Sequence, residues 1–510
     1  MPSNYHLSYK TENGRSALLL ILLFLLALFR FYTAGYGAFA MVCFFPAIIL
    51  YVYIAFRFKM VTFWALFIIN YILFWFLKNN WLPNGIPLSL YNELLEFVLI
   101  AIAIIDQNMS KNFSRARNLM LLSLLIWTAY CVLELLNDTC NIGINIEAWY
   151  NGTRGYALQF IYVLLVFSVY ISTPKILKQY LWVWAGLAFF SAFYTWKQQY
   201  IGFTPAESSW LWNSGYVTHV INGGSLIRYF STFNDAAAYG CNAAATAVLL
   251  VIVTFTSRFR TDRILFGIIS VCVIWGMFAS GTRTAIFSLG AGLALFIFLS
   301  KSIKIAVPFT ILFAIAISIL LFTNIGNGNQ QIRRMRSAFN KEDASANVRE
   351  INKATMRKYL SDAPWGIGLG MGPMNVPANN KFSMMATIPP DSEYVYIWIR
   401  TGRIGITLFV ITTIIMFCGA CWVVLFRIKN RSLMGIGAGL CGAFLAIHLG
   451  GYANQILATI PNGLLFYGGL AVVYILPYIE PEWIVMEEKR QVKLEEKKRL
   501  KLEKKLASRV

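Results

Sequence analysis

The sequence predicts an all-α polytopic membrane protein, and three observations carry that prediction. Of 510 residues, 58% are hydrophobic and only 13% are charged, too little charge to cover a soluble globule of this size. Apolar runs of roughly 17–23 residues recur along most of the chain, each long enough to cross a hydrocarbon core of about 30 Å. The net charge is +21, but the basic residues alternate between the apolar runs, as the positive-inside bias requires. Soluble α/β folds, disorder and a disulfide scaffold are thereby excluded, and no nucleic-acid partner is expected. No period of 20–50 residues is visible, so a solenoid is not indicated.

Taken in order, the apolar runs fall at about 17–33, 37–56, 60–77, 91–106, 118–136, 155–173, 180–200, 236–257, 263–280, 284–300, 303–323, 400–426, 433–452 and 459–479. That is about fourteen spans, or twelve to thirteen if weak breaks such as 280–284 do not separate helices. The first run has no small-residue cleavage site and is expected to be retained. Alternate connections carry Arg57/Lys59, Lys111/Arg115/Arg117, Lys175/Lys178, Arg258/Arg260/Arg263, Lys301/Lys304 and Arg427/Lys429/Arg431, which puts both termini in the cytoplasm. The chain then divides into an N-terminal transmembrane scaffold (1–200), a central transmembrane region with a first outer loop (201–323), a large extracytoplasmic loop (324–399), C-terminal transmembrane helices (400–482) and a basic cytoplasmic tail (483–510). The tail, with Leu494, Leu500, Leu502 and Leu506 among dense Lys and Glu, reads either as a solvated segment or as a helix near anionic lipid.

Within the large loop, Val348, Ile351, Thr355 and Tyr359 share one helical face and Pro364 stops the period, so an amphipathic helix is expected there. Seven of the eight cysteines lie in apolar runs, and Cys418/Cys421 have no second pair or nearby His, so packing explains them better than metal binding. His6, His219 and His448 are far apart in sequence; neither a metal nor a cofactor is expected.

Ionisable groups at a membrane cost roughly 2.5–3.5 kcal/mol on insertion scales, so each demands a reason. Arg283, in FASGTRTAIFSLG, presents a guanidinium fork suited to phosphate oxygens, or else snorkels to the interface. In SLIRYFSTFNDAAAYG, Arg228 and Asn234 precede a small-residue span; Asn234 or Asp235 is either its N-cap or a substrate contact. The large loop keeps a net positive charge that the positive-inside bias does not explain, which suits an anionic ligand. It continues into APWGIGLGMGPMN, where Gly368 and Gly370 belong to an alternating run able to bring backbone N–H groups to an anion. Asp391 and Glu393 open the next span, either as helix-dipole partners or as a general base.

These segments, in this order, resemble the O-antigen polymerase and O-antigen ligase superfamily of bacterial envelope glycosyltransferases. The resemblance rests on FSTFNDAAAYG, SGTRTA, SANVRE with APWGIGLGMG, and DSEYVYIWIRTGRIG, and covers about residues 225–410. It implies a GT-C-like helical bundle in the bacterial inner membrane that transfers glycan, without a metal, from an undecaprenyl-diphosphate carrier at the outer leaflet. It places diphosphate binding on Arg283 and Arg349, and it adds Tyr394 to the substrate-binding set. Membrane lipids and a chain-length regulator or flippase would be partners. The ligase branch usually carries a His-Asn pair where this chain has Asp391-Ser392, which favours a polymerase of lipid-linked repeat units (O-antigen, capsule or exopolysaccharide). The alternatives are a ligase passing glycan to lipid A-core or another acceptor, and a non-enzymatic flippase of lipid-linked oligosaccharide.

Overall fold

The computed structural model describes residues 52–81, 88–221, 226–301, 303–328, 330–336, 344–387 and 391–507, with a few single positions outside these ranges. It divides into two units, Met1–Trp64 and Ala65–Val510, and the site lies in the second. The main helices are α1 (Lys59–Lys78), α2 (Leu88–Ile105), α3 (Leu119–Leu133), α4 (Gln159–Tyr170), α5 (Pro174–Tyr200), α6 (Ala236–Thr256), α7 (Arg260–Ala279), α8 (Arg283–Leu299), α9 (Ile303–Phe322), α10 (Ala344–Leu360), α11 (Glu393–Trp422), α12 (Arg431–Gly451) and α13 (Gly468–Ala507). Among the described residues, nine helical stretches are long and apolar enough to cross a membrane, so the protein is a multi-pass helical membrane protein. The apolar runs expected at 91–106, 284–300 and 303–323 are helical as well, as α2, α8 and α9. The first two expected runs lie largely outside the described residues. Strand is confined, among the described residues, to the antiparallel pair Val220–Ile221 and Leu226–Ile227.

The weak break expected at 280–284 is a true boundary. Helix α7 stops at Ala279 and α8 starts at Arg283, with Gly281 between them at a φ of +61° that only glycine adopts freely. Helix α6 is the centre of the bundle and packs on α7, α8 and α12. Small residues permit the close approach: a methyl on Gly442 would meet the Gly292 carbonyl at 2.8 Å, and one on Gly439 would meet Leu249 at 2.9 Å.

One end of the bundle gathers the start of α6, the end of α7, the starts of α8 and α11, and the end of α12. Tyr229 N–H reaches Ala279 O at 3.4 Å, Thr282 Oγ1 donates to Ala236 O at 2.8 Å, and Ser392 Oγ donates to Gly451 O at 3.4 Å. At the opposite end Lys301 Nζ meets Ile428 O at 3.3 Å and Ser432 Oγ meets Glu487 at 2.6 Å. There α13 continues unbroken from its span into the basic tail, and Arg490 docks its first part on Asp262 at 2.8 Å.

Between α9 and α11 the chain forms its own small core, in which Met356, Leu360, Ile367, Phe382 and Met385 pack on Ile399 of α11. The amphipathic helix expected in this segment is α10, and Tyr359 of its expected face packs on the loop core. Met356 and Leu360 are buried in that core while Ile351 is 65% exposed, because the loop core beneath α10 selects the face. Val348 has its side chain outside the described residues.

Candidate active site

Three arginines meet at the end of the bundle where α6 and α8 begin. Arg228, on the extended stretch after the short strand pair, donates from Nε to Ser280 O at 3.3 Å, from Nη1 to Thr218 O at 2.9 Å and from Nη2 to Thr282 Oγ1 at 3.1 Å. Arg334, on the short helix Gln330–Arg336, donates from Nε to Gly281 O at 2.9 Å. A side chain at Gly281 would crowd Arg228, with its Cβ 3.3 Å from that side chain, and would be strained by the positive φ of +61°. Burial, and then the positive charges of Arg228 and Arg283, push the Arg334 guanidinium down to about 10. A cluster of positive charge attracts an anion, and guanidinium forks match diphosphate oxygens.

The support beneath the cluster is polar and exact in its roles. Asp235, not Asn234, is the N-cap of α6: its Oδ1 accepts from Ala237 N–H at 2.7 Å and from Ala238 N–H at 2.8 Å. Asn234 leaves its side chain exposed and gives its carbonyl to Lys78 Nζ at 2.5 Å. Lys78 lies against the rings of Trp210 and Phe230, 3.5 and 3.6 Å from their centroids. His219 is buried, and its Nε2 accepts from Ala236 N–H at 3.1 Å, so the assigned tautomer carries its proton on Nδ1, 3.1 Å from Gly215 O. Burial, then Lys78 and Arg228, push the His219 imidazolium down to about 3, keeping the ring neutral and the acceptor available.

The acidic edge lies on α11. Ser392 caps the helix, which begins at Glu393, so the two acids stand at its opening as the sequence leads one to expect. Asp391 is exposed beside this cap and lines a cleft with Lys353 and Met356 of α10 and with Tyr452 and Ala453. Glu393 is 1% exposed and both its oxygens are engaged: Tyr156 OH donates at 2.6 Å and Leu457 N–H at 2.8 Å. Tyr394 turns toward α12, where its hydroxyl donates to His448 O at 3.3 Å. The turn after α12 joins the two halves of the site, because Asn454 Nδ2 donates to Thr284 Oγ1, next to Arg283, at 3.0 Å.

The glycine run is explained by a break in α11. Gly402 has a φ of +64°, which interrupts the helix and frees carbonyls in the turn before it. Ile367 N–H takes Ile399 O at 2.9 Å, Gly368 N–H takes Arg400 O at 3.0 Å, and Tyr130 OH takes Thr401 O at 2.9 Å. Gly370 lies against the Ala148 carbonyl so closely that no side chain fits. Gly368 thus directs its N–H to a helix carbonyl and Gly370 allows two backbones to touch; both are packing tasks.

Sequence reasoning singled out Arg228 and Arg283, which the structure brings together, and Arg349, whose side chain lies outside the described residues although α10 places it one turn before Lys353. It named Arg334 only as one of the large loop's cations suited to an anionic ligand, and it missed the roles of Lys78, His219 and the 450–457 turn. Arg334 was hidden in a run of loop cations, and Lys78 showed only as a charge at a span end. The engagement of Glu393 leads to an expected result: Glu393→Ala should lower the thermal unfolding midpoint of the purified protein, at about 1–3 kcal/mol for each orphaned buried partner, whereas Asp391→Asn should leave the midpoint unchanged.

The fold and this site define a class: a multi-pass membrane protein with an arginine cluster and an exposed carboxylate brought together at one end of a helical bundle. Residues 268–410 match a family model described as O-antigen ligase, which supports a likeness to the O-antigen ligase and polymerase superfamily. The match supports a glycosyl-transfer-type activity in general. The matched range holds Arg283, Arg334, Asp391 and Glu393 but neither Arg228 nor the 450–457 turn. A comparison with curated proteins returned no match.

Proposed function

We propose that the protein is a polymerase of polyprenyl-diphosphate-linked oligosaccharide repeat units, acting at the outer leaflet through a GT-C-like site. The grouping of Arg228, Arg283 and Arg334, tied through Thr284 and Asn454 to the turn that borders Asp391, carries this reading. The arginines hold the diphosphate and stabilise the charge that develops on it as the anomeric C–O bond breaks. The acceptor hydroxyl attacks the anomeric carbon, its oxygen forms the new glycosidic bond, and its proton passes to the Asp391 carboxylate. The lipid diphosphate leaves with the electron pair of the broken bond. Asp391 takes the base role because it is exposed in a cleft, whereas Glu393 positions the 456–457 backbone. Arg349 is assigned diphosphate binding from the resemblance, its side chain lying outside the described residues.

A ligase is the second reading, favoured by the description of the matched family. Purified protein in liposomes with a lipid-linked repeat unit separates the two. A polymerase yields a ladder of carrier-linked products from the repeat unit alone; a ligase yields product only when a second acceptor is added.

The reading requires the arginine end of the bundle to face outward, with both termini in the cytoplasm. Cysteine introduced at Lys381 should then be labelled by an impermeant reagent from outside and cysteine at Lys429 should be protected, in a background whose native cysteines give no signal. The reverse pattern would invert the bundle and remove the outer-leaflet reaction.

A further inference from the structure

The cleft bordered by Asp391 has a composition that the diphosphate site lacks. Its floor is apolar, with Met356 and Ala453 buried; its rim carries Asn352, Lys353 and Asp391; and one wall is the ring of Tyr452, which is 60% exposed. Lys353 lies against this ring, its Nζ 4.8 Å from the centroid and 3.1 Å from the Tyr452 hydroxyl, with a further bond to Glu350 Oε1 at 3.1 Å. An exposed aromatic face beside hydroxyl-binding groups fits a pyranose, whose C–H face packs on a ring while its hydroxyls reach polar side chains. A diphosphate is disfavoured by the Asp391 carboxylate, and an acyl chain by the polar rim. Helix α10 supplies Lys353 and Met356 to the cleft, and the turn after α12 supplies Tyr452 and Ala453.

We propose that this cleft is the acceptor-sugar subsite, with Tyr452 as the stacking platform, Lys353 as a donor to a ring or hydroxyl oxygen, and the reacting hydroxyl held at Asp391. The assignment rests on Asp391 acting as the base in the reading above. On binding, the sugar takes over the lysine contact that the Tyr452 hydroxyl now supplies, so the hydroxyl itself is dispensable and the ring is not.

The test uses the full-length protein and the delipidated oligosaccharide released by mild acid from the lipid-linked pool of the producing cells. Equilibrium binding of this glycan should weaken about three- to tenfold in Tyr452→Ala and stay within about twofold of the wild type in Tyr452→Phe, as expected for a ring-face contact. Lys353→Met should weaken it by a smaller factor, and none of the three should alter binding of a lipid diphosphate without sugar. In transfer assays the Ala variant should raise KM for the acceptor and leave KM for the donor unchanged. Glycan binding that is absent, or that ignores Tyr452→Ala with the unfolding midpoint intact, would overturn the subsite. Glycan binding that depends on the Tyr452 ring while no glycan is transferred would keep the subsite and remove the transferase reading.

Discussion

Replacing Arg283 by lysine should impair product formation nearly as much as replacing it by alanine, each by about 10²–10³-fold in turnover, as for loss of one donor to a developing anion. Lysine keeps the charge but is a hydrated point donor, and it cannot make the paired, planar contact that a guanidinium makes with phosphate oxygens. Arg283 also stands in a field already shaped by Arg228 and Arg334, so total charge is not the scarce quantity; directed donors are. Because Arg228 and Arg334 are anchored on the backbone of Ser280 and Gly281, the turn before α8 keeps its shape in either variant. Turnover measured on reconstituted protein at matched protein levels decides the matter. Near-normal product from Arg283→Lys would make this arginine an interface anchor and shift diphosphate binding to its neighbours.

Asp391→Asn should slow transfer by roughly 10²–10⁴-fold, the usual cost of a lost general base, without altering donor binding or the unfolding midpoint. The substitution preserves shape and the start of α11, where the cap is Ser392 and not Asp391. Glu393 does not substitute readily, because its oxygens are occupied by Tyr156 and Leu457 and it is closed off from the cleft. In cells, a polymerase lacking its base should accumulate single lipid-linked repeats at the outer leaflet. Long carrier-linked polymer in that strain would instead identify a ligase. Unchanged product in Asp391→Asn and Asp391→Ala would reduce the acid to a favourable charge near a helix N-terminus.

Both expectations show how the sequence and the structure divide the argument. The sequence carried Arg228, Arg283 and Asp391 because an ionisable group between apolar runs is costly and stands out. It treated Asp391 and Glu393 alike, two acids two residues apart. Burial separates them: the chain returning from α12 closes over Glu393 and leaves Asp391 in an open cleft. The glycine run was legible as a backbone needing close approach, but its neighbour was not. That neighbour is the broken turn of α11 at Gly402, far along the chain, whose carbonyls would go unpaired without Ile367 and Gly368.

By itself the sequence determined the membrane class and the order of the apolar helices, because span length and hydropathy are local properties that the bilayer reads directly. Only the tertiary structure decided which charges share a site. Arg334 enters the cluster through the Gly281 carbonyl, Tyr452 reaches the cleft through the turn after α12, and α10 buries Met356 and leaves Ile351 exposed because the loop has a core of its own. Each of these depends on contacts between residues distant in sequence, whose pairing is set by helix packing and by the need to satisfy buried backbone groups, and no local pattern encodes it.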